Sequence, residues 1–166
     1  MTGSVSSLPM YLPPAPFSLP DAITCAGLVD VAYDQYAQWS NQGYPSKSDF
    51  VWTPPSAPAG YTYSAPLIWT NEWLFIWYDE PFGFIAQNTN GDTFLVLRGT
   101  QSDADEAQDA RLDQVSYGLV EGFGNVHAGF YTIYQLLSPQ IYTALQKFSN
   151  IGRFFFAGHS LGRTLM

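Results

Sequence analysis

The first regular pattern along the chain is helical. Ser18-Leu19-Pro20-Asp21 has the S-x-x-D form of a capping box, with the proline in the first turn, where its missing N–H is harmless. Behind it, apolar side chains recur at steps of three and four residues: Ala22, Ala26, Val29, Tyr33 and Tyr36. The spacing predicts an amphipathic helix over residues 19–40, which ends before Gly43 and Pro45.

An aromatic segment follows a connection rich in Pro, Ser and Gly over residues 44–66. This segment, LIWTNEWLFIWYDEP, carries Trp69, Trp73 and Trp77. The four-residue spacing fits one face of a helix, whereas Trp73, Phe75 and Trp77 would share one side of a strand. Both interpretations stay open, and core packing is the more frequent use of such a cluster than sugar stacking.

The clearest hairpin signal is GFIAQNTNGDTFLVLRGT, in which two β-rich runs flank Asn90-Gly91. The second run, residues 93–97, is apolar apart from its threonine, which is typical of a strand covered on both faces. Helical spacing returns over residues 129–148, where Pro139 predicts a kink or two abutting helices. A short apolar run, FFFAG, comes next. This order predicts an α/β fold with a mostly parallel sheet and flanking helices.

The run ends in Gly158-His159-Ser160-Leu161-Gly162, which matches G-x-S-x-G. In this pattern a sharp strand-to-helix turn presents a serine, and the residues two before and two after it must be nearly bare to avoid collision. A serine hydroxyl becomes a nucleophile once a base takes its proton and N–H donors stabilise the oxyanion. Ser160 is therefore the candidate catalytic residue, with Gly158 and Gly162 as the glycines that the turn needs.

Composition narrows the class of protein. The 166 residues are 46% hydrophobic and 12% charged, with 14 acidic against 6 basic side chains and a net charge of −8. Such a chain is repelled by phosphates, so we expect no nucleic-acid partner. Cys25 is the only cysteine, which leaves no internal disulfide and no zinc-type cluster. The first residues lack a signal-peptide pattern and no stretch reaches membrane-spanning length, so we expect a cytoplasmic protein with a flexible arm over residues 1–17.

Three motifs in order resemble the class 3 lipases of the α/β-hydrolase fold. They are FLVLRGT at residues 94–100, VHAGF at 126–130 and GHSLG at 158–162. The resemblance implies a serine ester hydrolase that acts on carboxylic esters or acylglycerols through an acyl-enzyme at Ser160. It also implies that Thr100 and Leu161 supply oxyanion-hole N–H groups, with no metal and no organic cofactor. In the family His127 is not the catalytic histidine, and His159 should point away from the nucleophile.

The resemblance also predicts what is missing. In the family an aspartate and a histidine far downstream of the elbow complete the triad, so neither partner is expected in this chain. We therefore expect residues 18–166 to be an incomplete domain, truncated after the nucleophile strand and inactive or weakly active. Arg163 stands where the family has a small residue, which a truncated or frame-shifted reading frame would explain. The strand before Ser160 would then have an open edge, which predicts self-association.

In the family, the lid lies in the segment between the two predicted oxyanion-hole residues, Thr100 and Leu161. In this chain the corresponding residues, 101–113, are acidic and include few large apolar side chains. We therefore expect smaller or more soluble esters as substrates. Two rival hypotheses remain. One is a non-catalytic binding module that uses Trp69, Trp73 and Trp77, and the other is a fragment without a function of its own.

Overall fold

A computed structural model describes residues 16–56, 59–73, 76–99, 101, 113–118 and 121–165. Residues 71–73 and 76–78 are described by their places in strands alone. The arm expected at residues 1–17 lies outside the described residues apart from its last two positions. The acidic segment predicted as a lid also lies outside them, except for residues 101 and 113.

Three helices and seven strands make up the described fold. In chain order they are α1 Leu19–Asn41, β1 Tyr61–Tyr63, β2 Leu67–Trp73, β3 Ile76–Asn88, β4 Thr93–Leu97, β5 Gln114–Ser116, β6 Asn125–His127, α2 Ala128–Leu145, β7 Phe154–Gly158 and α3 Leu161–Thr164. No helix among the described residues is both long and apolar enough to cross a membrane.

Five of the strands form one sheet in the order β1-β3-β4-β7, with β2 also paired to β3. The predicted α/β class is confirmed. The balance of strand directions differs from the mostly parallel sheet expected, because β3 is antiparallel to β1, β2 and β4. In the part of the chain that the structure describes, the parallel pair is β4 with β7. The short connections from β2 to β3 and from β3 to β4 allow only antiparallel hairpins, whereas the long connection through α2 allows β7 to run parallel to β4.

The described residues of the aromatic segment, 67–73 and 76–81, form strands and not a helix. Strands β2 and β3 pair along it, with Trp73 opposite Ile76. Trp69 is 1% exposed and packs edge-on against Phe82, with the two ring centroids 6.1 Å apart. Trp69 is therefore a core residue. The side chains of Trp73 and Trp77 lie outside the described residues.

The predicted hairpin around Asn90-Gly91 is confirmed, with Ile85 of β3 paired to Leu95 of β4. Its turn depends on Gly91, which has φ +83°, and a side chain there would collide with the backbone carbonyl of Asn150. Strand β4 is buried along its whole length, as expected for a strand covered on both faces.

The two long helices, α1 and α2, begin within one residue of the predicted positions, 19 and 129. The Ser18 hydroxyl accepts a hydrogen bond from Asp21 N at 3.4 Å, so the predicted cap of α1 is present. Of the two alternatives expected at Pro139, two abutting helices is wrong, because α2 runs through the proline as a single helix. The buried face of α2, at Ile133, Leu137 and Ala144, packs on the sheet. This tertiary packing outweighs the lost backbone hydrogen bond.

The core has two layers, one on each face of the sheet. Leu95 and Leu97 of β4 face α2, whereas Phe94 and Val96 face α1. The alternation along β4 thus places its end, and that of the neighbouring β7, between two helical layers. The candidate nucleophile follows directly from the end of β7.

Candidate active site at the turn between β7 and α3

Ser160 lies in the turn that joins β7 to α3. Its backbone has φ 48° and ψ −120°, a conformation that side-chain-bearing residues rarely adopt. The turn is closed by Gly162 N, which donates to His159 O at 2.9 Å, and by Arg163 N, which donates to Ser160 O at 3.0 Å. Strain of this kind costs of order 1–3 kcal/mol and is concentrated at functional sites.

The two glycines of the motif are required by close backbone approach. A methyl group built on Gly158 would lie 2.7 Å from the carbonyl carbon of Gly162 and 2.8 Å from Arg163 N. One built on Gly162 would lie 2.6 Å from the carbonyl oxygen of Leu97 and would also collide with Arg98 O. The elbow is therefore packed closely against the end of β4.

The loop after β4 passes beside the nucleophile. A methyl group built on Gly99 would lie 3.0 Å from the Ser160 Cβ and 2.9 Å from His159 O. The next residue is Thr100, the predicted oxyanion donor, which lies outside the described residues. Leu161, the other predicted donor, is buried at the first position of α3. The convergence of these two N–H groups on one point stays a prediction.

Arg98 anchors the loop that follows β4. Its side chain is fully buried, and its Nη2 donates to Glu80 Oε2 at 3.0 Å. Its Nε donates to Pro81 O at 2.9 Å and its Nη1 to Gly99 O at 2.7 Å. The guanidinium also lies over the Phe82 ring, 4.8 Å from its centroid. Arg98 thus fixes the carbonyl of the residue that passes Ser160, and it carries no free charge into the site.

Both histidines of the chain make their hydrogen bonds with groups other than the Ser160 hydroxyl. His159 Nδ1 lies 2.8 Å from the hydroxyl of Tyr33 on α1. His127 is the N-cap of α2, where its Nδ1 accepts from Phe130 N at 3.4 Å and its ring stacks on Phe130. In the described structure neither imidazole is hydrogen-bonded to the serine, so neither is placed as its base.

Cys25 is the other nucleophilic side chain near the elbow strand. It lines a groove of about 510 Å³ between α1 and β7, together with Phe156 and Gly158. Burial, aided by the negative charge of Asp21, raises the pKa of the Cys25 thiol. A raised pKa disfavours the thiolate, so Cys25 is not an activated nucleophile.

An aromatic groove adjoins the helix that follows the elbow. It has a volume of about 600 Å³, within the range of small-molecule sites. Strands β5 and β6, helix α2 and the end of α3 line it with Tyr117, Phe123, Val126, His127, Phe130, Tyr131, Tyr134, Thr164 and Leu165. Sequence reasoning missed this groove. The signal was the density of aromatic residues between positions 117 and 134, but the β5–β6 ribbon that gathers them was not predicted.

One family model matches the part of the chain that contains the elbow. Residues 94–165 match the family model described as lipase (class 3), a span that runs from β4 through the elbow. Over this span, which is less than half of the chain, the sequence is similar to class 3 lipases. No curated protein sequence matches it.

Among solved structures, the chain resembles a nonglycosylated LIP2 lipase of Yarrowia lipolytica. The TM-score is 0.52 at 16% sequence identity, over 90% of this chain and 53% of that lipase chain. At this identity the likeness concerns the fold. The chain spans about half the length of the lipase that it resembles.

Proposed function

We propose that this class 3 lipase-like chain carries the nucleophile and the oxyanion-binding elements of a serine ester hydrolase. The observation that carries the proposal is the strained turn at Ser160, set beside Gly99 at the end of β4. Backbone strain at a polar residue, held between two glycines at which a side chain would collide with backbone, supports a chemical role over a structural one.

In the proposed reaction, Ser160 Oγ attacks the carbonyl carbon of a carboxylic ester. The new C–O bond turns the carbonyl oxygen into an oxyanion, to which the N–H groups of Leu161 and Thr100 would donate. The ester C–O bond then breaks, the alcohol leaves with a proton, and the acyl group stays on Ser160. Water afterwards attacks the acyl-enzyme and releases the acid. The two histidines of this chain do not supply the base, because their contacts lie elsewhere.

The aromatic groove supports an ester with an apolar part. Its rings bury alkyl or aryl carbon, and the hydroxyls of Tyr117, Tyr131 and Tyr134 offer polar contacts at the same surface. Thr164 and Leu165 connect it to the helix that begins beside Ser160. We therefore propose acylglycerols or smaller carboxylic esters as the substrate class.

Covalent labelling with an alkyl fluorophosphonate tests the proposal. The expected result is a single adduct on Ser160, found by mass spectrometry of the digested chain and absent from Ser160→Ala. Ser149→Ala, which removes a serine from an exposed loop, is the matched control and should label like the unchanged chain. An adduct that persists in Ser160→Ala, or no adduct at all, would overturn the proposal.

A non-catalytic binding module built on Trp69, Trp73 and Trp77 is the second candidate. The burial of Trp69 in the core removes one of its three proposed contacts. Absence of labelling together with binding of a soluble oligosaccharide would favour this candidate.

A further inference from the structure

Tyr33 of helix α1 lies between two segments that are far apart in sequence. Its hydroxyl accepts a hydrogen bond from Gly99 N at 3.0 Å, at the end of β4. The same hydroxyl lies 2.8 Å from His159 Nδ1, in the elbow. One side-chain oxygen therefore joins the two backbone segments that flank Ser160.

The hydrogen-bonding capacities of the groups fix the direction of the second bond. Gly99 N–H is a donor, so the tyrosine oxygen accepts from it and keeps its own proton to donate. Donation to His159 Nδ1 satisfies that proton and leaves the imidazole proton on Nε2. The arrangement predicts the Nε2–H tautomer for His159 when the ring is neutral.

The contact is close as well as polar. A methyl group built on Gly99 would lie 2.7 Å from the Tyr33 hydroxyl oxygen and 3.0 Å from the Ser160 Cβ. Gly99 is thus held between the phenol and the nucleophile, and the rings of Tyr33 and His159 meet edge to face with centroids 6.0 Å apart. A movement of α1 at this point would be transmitted to both segments.

We propose that Tyr33 is a positioning residue that holds the Gly99 segment and the elbow in register. It contacts neither ester nor oxyanion, and acts through Gly99 and His159. The functional consequence rests on the proposed function, because the register of these segments sets where the N–H groups next to Ser160 point. Positioning of this kind is lost when a hydroxyl is removed, even if the fold survives.

Tyr33→Phe is the test, with Tyr63→Phe as the matched control. The Tyr63 hydroxyl is buried and has no hydrogen-bond partner among the described residues, so its removal breaks no bond there. In Tyr33→Phe we expect amide exchange of Gly99 to accelerate roughly 3- to 10-fold, the loss of one hydrogen bond. We expect the maximal rate of fluorophosphonate labelling at Ser160 to fall by the same factor. The reagent concentration that gives the half-maximal rate should not change. Tyr63→Phe should match the unchanged chain in both.

Nitrogen-15 spectra of the His159 ring give a readout that general loosening would not produce. At alkaline pH the unchanged chain should show an unprotonated Nδ1, and Tyr33→Phe should lose this preference. A second pair of variants covers the case in which Tyr33→Phe does not fold. His159→Asn keeps an acceptor near the position of Nδ1 and should retain more of the labelling rate than His159→Leu, which removes it.

The outcomes are distinguishable. Unchanged Gly99 exchange and unchanged His159 spectra in Tyr33→Phe would overturn the proposal, as would equal effects of Tyr63→Phe. Exchange that accelerates equally at Ile85, a core amide bonded to Ser64, would show general destabilisation and would also overturn it. If Ser160 is never labelled, the proposed function fails, while exchange at Gly99 and the His159 tautomer still decide the role of Tyr33.

Discussion

Gly162 packs its α-carbon against the backbone of Leu97, so that an added methyl group would lie 2.6 Å from the Leu97 carbonyl oxygen. Backbone cannot yield as a flexible side chain can. We therefore expect Gly162→Ala to lower the free energy of unfolding by about 1–3 kcal/mol, the usual cost of overpacking. Urea unfolding followed by tryptophan fluorescence measures this change.

Gly27→Ala is the matched control for that substitution. Gly27 lies in α1 with nothing within 4 Å of an added methyl group, so alanine should raise stability by about 0.5–1 kcal/mol. Equal effects of the two substitutions would contradict the close packing of the elbow against β4.

The buried pair of Glu80 and Arg98 should be costly to break. Both side chains are almost fully buried, and their charged groups lie 3.0 Å apart. Glu80→Gln removes this counter-charge from a buried guanidinium, and breaking a buried ion pair in this way costs about 3–5 kcal/mol. Thermal unfolding by circular dichroism would show the loss. Asp21→Asn, which breaks the exposed pair with Arg153, should have a much smaller effect because water screens it.

Esterase turnover by this 166-residue chain should be very low. Neither of its two histidines is hydrogen-bonded to Ser160 in the described structure, so the serine lacks a positioned base. An oxyanion hole and binding alone leave a small part of the acceleration of a complete triad. Hydrolysis of p-nitrophenyl acetate should stay within about tenfold of Ser160→Ala. Fast turnover that Ser160→Ala abolishes would show that some other group acts as the base.

Asp92 links pH to stability. Hydrogen bonds from Arg153, with a smaller contribution from Asn88, lower the pKa of the Asp92 carboxyl despite its partial burial. A carboxyl whose pKa is lower in the folded state stabilises the fold above its unfolded pKa of about 3.9, and this contribution is lost as pH falls further. The difference in urea midpoint between the unchanged chain and Asp92→Asn should therefore be full at neutral pH and shrink below about pH 4. Asp34→Asn, at an exposed position of α1, should show a smaller difference at neutral pH.

Local patterns in the sequence were enough to predict the elements whose signals are local. The Ser18 cap fixed the start of α1, and Asn90-Gly91 fixed the hairpin of β3 and β4. The elbow could be predicted because the residues that shape this tight turn, Gly158 to Gly162, are consecutive in the sequence.

Contacts between distant segments could not be predicted in the same way. The hydroxyl of Tyr33 meets His159 across 126 positions, and nothing in either local pattern signals the partner. The Trp69 segment has apolar spacing compatible with both helix and strand, and pairing of β2 with β3 decided it. The antiparallel character of most pairings also depends on loop lengths and tertiary contacts, which periodicity does not encode.

The outer edge of β7 should drive self-association. β7 pairs on one side with β4, and among the described strands none is hydrogen-bonded to its other side. Phe156 on this strand is 60% exposed, and residues 154–157 contain no lysine or proline that would blunt the edge. The net charge of −8 opposes association, but salt screens it within about 10 Å, so we expect strand pairing to prevail.

Sedimentation velocity at micromolar concentration should show dimers or larger species, and Phe156→Lys should shift them toward monomer. Lys substitution of exposed Tyr142 on α2 is the control, and should leave the distribution unchanged. A monomer that unfolds cooperatively would mean that the chain covers this edge itself.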